Sequence, residues 1–210
     1  MPSQPSKKQR TKTRKQLLAA EALLLLLLRR AAHKDGKGSI TQALYRGKQE
    51  LRALGRKSVE QELETEITKK PTSSARRDLS RAAKVAAVFL AYSKSRTKVL
   101  SEQLGVAENS QSVTLLKQQA TAAIDNRLRQ IAAFEAVRTF EEERRDAAEQ
   151  IADASEQVMA KRWDASLDSL TCDTCAGLDG REAELDEEFP DGDPPLHPNC
   201  RCSIEYRFDT

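Results

Sequence analysis

Five side chains able to bind a metal or act as nucleophiles fall within the last 39 residues: Cys172, Cys175, His197, Cys200 and Cys202. They include all four cysteines and one of the two histidines of the chain. Cys172-x-x-Cys175 has the spacing of a metal knuckle, in which two thiolates reach one ion. His197-x-x-Cys200-x-Cys202 offers three more donors after an intervening loop of 21 residues. Tetrahedral zinc takes four N or S ligands, and pairs on two separated segments close such a loop. Five donors compete for four places, and the spacing leaves His197 and Cys202 as alternatives for the last. A closed site of this kind is structural, because no coordination position stays open for a substrate.

Two other chemistries use the same residues. Paired disulfides suit a secreted chain. The basic stretch before the apolar run Leu17–Leu28 superficially resembles a secretory signal. Glu21 interrupts that run, however, Arg29-Arg30 follows it directly, and no small-residue cleavage site succeeds it. A Cys–His nucleophilic pair, His197 with Cys200 or Cys202, needs a separate orienting group that the sequence does not suggest. No reaction is therefore expected, and no small-molecule substrate.

The segment that must hold the five donors, residues 161–210, is crowded with glycine, proline and acid. Short strands are expected around Lys161–Ala165 and Arg201–Phe208. So few large apolar side chains make a thin core, and a metal staple would compensate for it. Upstream the composition changes. Charged residues make up 32% and aromatics 4% of the chain, with Ala, Leu, Glu, Lys, Arg and Gln dominant, a mixture that favours long helices. The expected fold is mainly α, with long helices and a small carboxyl-terminal α+β module stapled by zinc.

Four regions follow: a basic disordered arm at 1–16, a helical region at 17–112, one long helix at 113–160, and the cysteine/histidine module at 161–210. Within 17–112, breaks are expected at His33–Gly38 and Lys70–Ser74. Gly55 is expected to separate or bend two helices, the second opening with the capping form Ser58-Val-Glu-Gln61. Residues 113–160 contain no Gly or Pro. Their apolar stripe predicts a helix about 70 Å long at ~1.5 Å per residue, with a break conceivable near Arg144-Arg145. The run 17–28 is short of the ~20 residues that span a bilayer. It reads as a helix buried around most of its circumference, by this chain or by a neighbouring subunit, with no membrane role.

Charge divides the chain. Residues 161–210 carry 5 Lys and Arg against 13 Asp and Glu, a balance of −8, which leaves +11 for residues 1–160. The six cations of the arm, Lys7, Lys8, Arg10, Lys12, Arg14 and Lys15, could neutralise phosphates of double-stranded DNA without reading sequence. His33 reads as a surface residue.

The run Lys161-Arg162-Trp163, then Thr171-Cys172-Asp-Thr-Cys175-Ala-Gly-Leu-Asp179-Gly180, then Pro195-Leu-His197-Pro198-Asn199-Cys200-Arg201-Cys202 resembles the carboxyl-terminal module of phage minor head proteins of the phage Mu F-like, head-morphogenesis family. Arg138-Thr139 followed by Glu141 is similar to that family's Arg-Thr-Glu helix. Phe140 intervenes, so no role is carried onto Glu141. The resemblance covers about residues 130–205. It implies a structural component of a tailed-phage or prophage head, assembled in the bacterial host cytoplasm. Its place would be the capsid interior or portal vertex, where it would touch portal or capsid protein and packaged DNA. Assembly with other subunits, several copies of this chain among them, is expected. Eight residues follow Cys202, so no appended enzyme is expected. The alternative is a zinc-containing DNA-binding or regulatory protein of phage origin, but no helix pairs a basic face with base-reading polar residues.

Overall fold

The computed structural model describes residues 7–32, 37–65, 67, 75–106, 109–155 and 157–208, the side chains of 7–11, 20, 37, 75 and 76 excepted. Of the expected break at His33–Gly38, residues 33–36 with His33 lie outside the described residues while Lys37 and Gly38 begin a helix, and the break expected at Lys70–Ser74 lies wholly outside them. Four long helices, α1 (Lys7–Ala32), α2 (Lys37–Glu62), α3 (Ala75–Leu104) and α4 (Ser110–Ser155), precede a small unit of β1 (Met159–Asp164), α5 (Asp173–Leu178), β2 (Glu182–Glu184) and β3 (Ser203–Phe208). The mainly helical expectation and both expected strands are met. The short acidic strand β2 carried no alternating pattern and was not foreseen.

The basic arm is corrected from Lys7 onward, because Lys7–Gln16 forms the first turns of α1. Its helix is held from the far end of the chain. Arg14 donates to Asp164 at 3.2 Å and to the Ala165 carbonyl at 2.6 Å. The leucine run of α1 is buried on one face only: Leu17, Leu24 and Leu28 are covered, while Leu18, Leu23 and Leu26 are exposed. Among the described residues no helix is long and apolar enough to cross a membrane.

The four helices form a bundle in which α2 and α4 touch each other and both neighbours. Side-chain pairings fix the directions. Leu17 packs on Val137 and Phe140 while Arg29 pairs with Asp125 at 2.7 Å, so α1 runs antiparallel to α4. Lys48–Glu135 at 2.7 Å and Arg52–Glu143 at 3.0 Å set α2 parallel to α4. Arg52 also grips Asp78 of α3 through two bonds of 2.8 and 2.9 Å. These ions are almost fully buried, and burial of charge returns little net stability. A slipped register would strand them unpaired, so they favour one register.

Two expectations within the bundle are corrected by packing. Gly55 neither separates nor bends helices, since α2 is continuous from Lys37 to Glu62. A Cβ at Gly55 would lie 2.7 Å from the Phe140 carbonyl oxygen, so the glycine permits backbone contact between α2 and α4. Ser58 is buried inside α2, starts no helix, and accepts a hydrogen bond from Arg144 at 2.5 Å. The long helix α4 is unbroken at Arg144-Arg145. It starts where the Asn109 side chain caps Ser112 N–H at 2.8 Å.

The three strands form an antiparallel sheet of order β2-β1-β3, with Trp163 of β1 opposite Ile204 of β3. One edge of β3 therefore has no strand beside it. Helix side chains occupy it instead. Glu141 accepts Ile204 N–H at 3.2 Å, Arg144 donates to the Ile204 carbonyl at 2.5 Å, and Glu62 accepts Tyr206 N–H at 2.8 Å. Arg144 completes the junction with Glu62 at 2.6 Å and lies over the rings of Phe140 and Tyr206. The edge is thus bonded as a strand would bond it, by groups from α2 and α4. Leaving one member of such a buried charged set unpaired costs about 3–5 kcal/mol.

Within this junction Glu141 is buried, and its Oε1 has no hydrogen-bond partner among the described residues. Burial pushes its carboxyl up to about 7, against the opposing pull of Arg144. The folded chain then holds a proton that the unfolded chain releases between about pH 4.5 and 7, so stability should fall as pH rises through that window. A shift of this size corresponds to on the order of 3 kcal/mol. Glu141→Gln, which keeps the acceptor for Ile204 N–H, should remove that component of the slope. Urea denaturation across the pH range reads it, and an identical slope in the variant would refute the assignment.

Candidate metal centre

Local structure brings the donors together from three short pieces. Cys172 is the N-cap of α5, and its sulfur accepts a hydrogen bond from Cys175 N–H at 3.4 Å, which turns both thiols to the same side. The second piece is a tight turn closed by Cys200 N–H to the His197 carbonyl at 3.1 Å. Asn199 takes the left-handed conformation in that turn (φ +63°), a role Asn tolerates better than most residues. Cys202 lies one residue before β3, so pairing of β3 with β1 fixes its depth.

All five expected ligands converge. Cys172, Cys175 and His197 form one group and Cys175, Cys200 and Cys202 a second, with donor atoms within 4.8 Å of one another in each. Cys175 belongs to both. His197 Nε2 is 3.2 Å from the sulfurs of Cys172 and Cys175, and the sulfurs of Cys175 and Cys200 are 3.9 Å apart. Zn–S bonds of ~2.3 Å at tetrahedral angles separate sulfurs by about 3.8 Å, so the spacing fits zinc. The four cysteines are free thiols, which sets aside the disulfide alternative for this structure.

His197 is prepared as a ligand. Its Nδ1 lies 2.9 Å from the Pro198 carbonyl; donating there as N–H leaves the Nε2 lone pair directed at the two thiols. The hydrogen bond to Pro198 is the main cause that raises the His197 pKa. The thiols divide. A hydrogen bond from Cys202 pulls Cys200 down to about 5, burial pushes Cys175 up to about 12, and its bond to Cys200 holds Cys202 well above the usual thiol range. These sulfurs cannot all ionise beside one another without a cation. Cys172, Cys175 and Cys200, with His197 or Cys202 in the fourth place, are the residues that would hold zinc.

The surroundings are closed on the side of Cys175, Cys200 and Cys202, whereas His197 also lines a cavity of about 410 Å³ shared with Val85, Val88 and Phe134. Cys175, Cys200 and Cys202 share one apolar cluster with Trp163, Phe189 and Leu178, and the Trp163 and Phe189 rings meet edge to face at 5.4 Å. The cavity beside the cysteines, lined partly by Ser166, Thr171 and Arg201, holds about 10 Å³. That is room for one water at most. Around the cluster, Arg201 pairs with Asp168, and Lys161 pairs with Asp193 at 3.0 Å.

The expected phosphate contacts are not gathered into a site. Lys12 and Lys15 are exposed, Arg14 is committed to Asp164, and the side chains of Lys7, Lys8 and Arg10 lie outside the described residues. Sequence spacing also gave no signal for Glu62 or Arg144. The sequence reading carries no role onto Glu141, because Phe140 intervenes, yet its carboxylate accepts Ile204 N–H of the strand.

Residues 102–205 match the protein family described as Phage Mu protein F like protein. No match was found among curated proteins or among solved structures.

Purified chain should bind one zinc per molecule, read by metal analysis after dialysis. Cys175→Ser should abolish binding, because that thiol belongs to both donor groups. Retention of the metal in Cys202→Ser with its loss in His197→Ala would give the fourth place to His197. The reverse order would give it to Cys202, and a fully folded, metal-free module with reduced thiols would remove zinc from the account.

Proposed function

We propose that this chain, whose residues 102–205 match the phage Mu F-like family, acts in head morphogenesis at or near the portal as a minor head protein with a structural zinc. The observation that carries this reading is the placement of the donor cluster inside the matched residues. Cys175, Cys200 and Cys202 are buried in the apolar core of the module, Cys172 and His197 are half-buried, and the space beside the sulfurs holds one water at most. Those features support a stabilising role for the metal and a non-catalytic role for the chain.

The charge division supports the arrangement proposed for it. The acidic module faces protein, on the portal or the capsid, and the basic amino-terminal half lies toward packaged DNA. Among the described cations of the expected arm, Lys12 and Lys15 are exposed and available to phosphate, whereas Arg14 ties the helix to the module. Binding of this type is independent of base sequence and weakens with salt.

In lysates of cells producing the parent phage or prophage, the chain should sediment with heads or portal complexes in few copies per particle. Confinement to soluble fractions would contradict the head assignment and favour the regulatory alternative. For DNA, the K12A/K15A variant should bind duplex of any sequence more weakly, and its log affinity should fall less steeply with log salt, by about 0.9 for each phosphate no longer neutralised. An unchanged slope would exclude these two lysines.

A further inference from the structure

Between two ties that hold α3 to α4 lies a groove. Arg81 pairs with Glu142 at 2.7 Å at one end, and Tyr92 donates to the Ala123 carbonyl at 3.4 Å at the other. Along this span the helices leave a cavity of about 410 Å³, bounded on a third side by the loop that carries His197. Its apolar lining comes from Val85 and Val88 of α3, Ile131 and Phe134 of α4, and Leu196 and Pro198 of the loop. Val85 and Ile131 also rest on the bundle core, so packing within the chain fixes the floor of the groove. A preformed apolar cavity of this volume, with a few polar groups at hand, has the form of a binding site.

The charges in the lining do not balance. Lys84 is exposed and Arg127 half-buried, and among the described residues neither pairs with a carboxylate. Arg127 donates through Nη1 to Gln130 at 3.1 Å, and its guanidinium lies over the Tyr92 ring. Its buried Nε has no hydrogen-bond partner among the described residues. The carboxylate in the lining, Glu135, lies 2.7 Å from Lys48 and is neutralised there. The groove thus offers an apolar floor with two uncompensated cations. A buried donor without an acceptor is uncommon in a folded protein, and an anionic occupant would supply one.

We propose that this groove binds a segment of a partner protein in which apolar side chains are flanked by aspartate or glutamate. The apolar residues fill the cavity, and the carboxylates meet Lys84 and Arg127. Val88 is 57% exposed, so the groove is open along α3 and does not enclose a small ligand. A protein segment brings its own cover. Duplex DNA would use the two cations and leave the apolar floor uncovered. The occupant also lies against the loop of His197, which places it beside the metal centre. That the partner is another head protein rests on the function proposed above; the chemistry of the groove does not.

Titration calorimetry of the full chain with three synthetic peptides tests this. The first carries two leucines flanked on each side by two glutamates. The second has lysines in place of the glutamates, and the third serines in place of the leucines. The wild type should bind the first about tenfold or more tightly than either of the others. K84E should bind the first peptide more weakly and the second more tightly, an exchange that a merely structural effect would not produce. V88W, which fills the cavity, should bind none of them. Both variants should keep the wild-type melting temperature, because both side chains reach solvent. Equal binding of the three peptides, a preference untouched by K84E, or wild-type binding by V88W would overturn the proposal. Duplex DNA binding lost in K84E and kept in V88W, with no peptide bound, would assign the cations to phosphate and equally overturn it. So would self-association abolished by V88W, which would assign the groove to a second copy. A chain that sediments with heads yet shows no peptide preference would overturn this inference alone. A peptide preference in a chain absent from heads would remove the head assignment and leave the groove as described.

Discussion

The outer edge of β3 must be bonded by something, because a strand edge buried against helices has no water to satisfy it. In this chain the partners are Glu62 on α2 with Glu141 and Arg144 on α4. Arg144 is the centre of the junction: it holds Ser58, Glu62 and the Ile204 carbonyl while its guanidinium lies against two aromatic rings. A buried guanidinium costs desolvation, and only a complete set of partners offsets it. The bundle and the sheet are therefore not free to dock in several ways. The long unbroken α4 and the close approach at Gly55 follow from the same demand, since both bring Glu62 and Arg144 to one strand.

The metal centre inherits its geometry from that junction. Cys202 directly precedes β3, and Cys200 and His197 lie on the turn leading into it. Fixing β3 on the helices fixes one half of the donor set. The other half is fixed by α5, whose cap is itself a ligand thiol. The proposed zinc joins these halves across a loop with little core beneath it. The donor cluster lies within residues 102–205, which match the phage Mu F-like family. A small acidic unit locked rigidly onto a long helical body suits a part that must present one surface to a neighbour.

The donor cluster was legible in the sequence because ligand chemistry fixes residue types and spacings locally. The same holds for β3, with Ile204, Tyr206 and Phe208 alternating, and for the Gly- and Pro-free run of α4, although a break near Arg144-Arg145 stayed open. What the sequence hid depends on distant partners. Gly55 looks like a helix break until Phe140 is seen against it. Ser58 looks like a cap, yet it is an acceptor for an arginine 86 residues away. Arg144 and Glu62 have no periodic signature at all, since a charged residue on a helix is ordinarily solvated. The arm was misjudged in the same way, since its helix is extended by a tether to Asp164 that composition does not reveal.

The central claim is that bundle and module are one cooperative unit joined through β3. Trp163, the single tryptophan, is buried in β1 and reports the module, whereas helical circular dichroism reports the bundle. Urea unfolding of the zinc-bound chain, followed by both signals on one sample, measures the coupling. Coincident transitions with equal midpoints are the predicted result. A Trp163 transition completed at lower urea, with the helical signal still intact, would contradict the account.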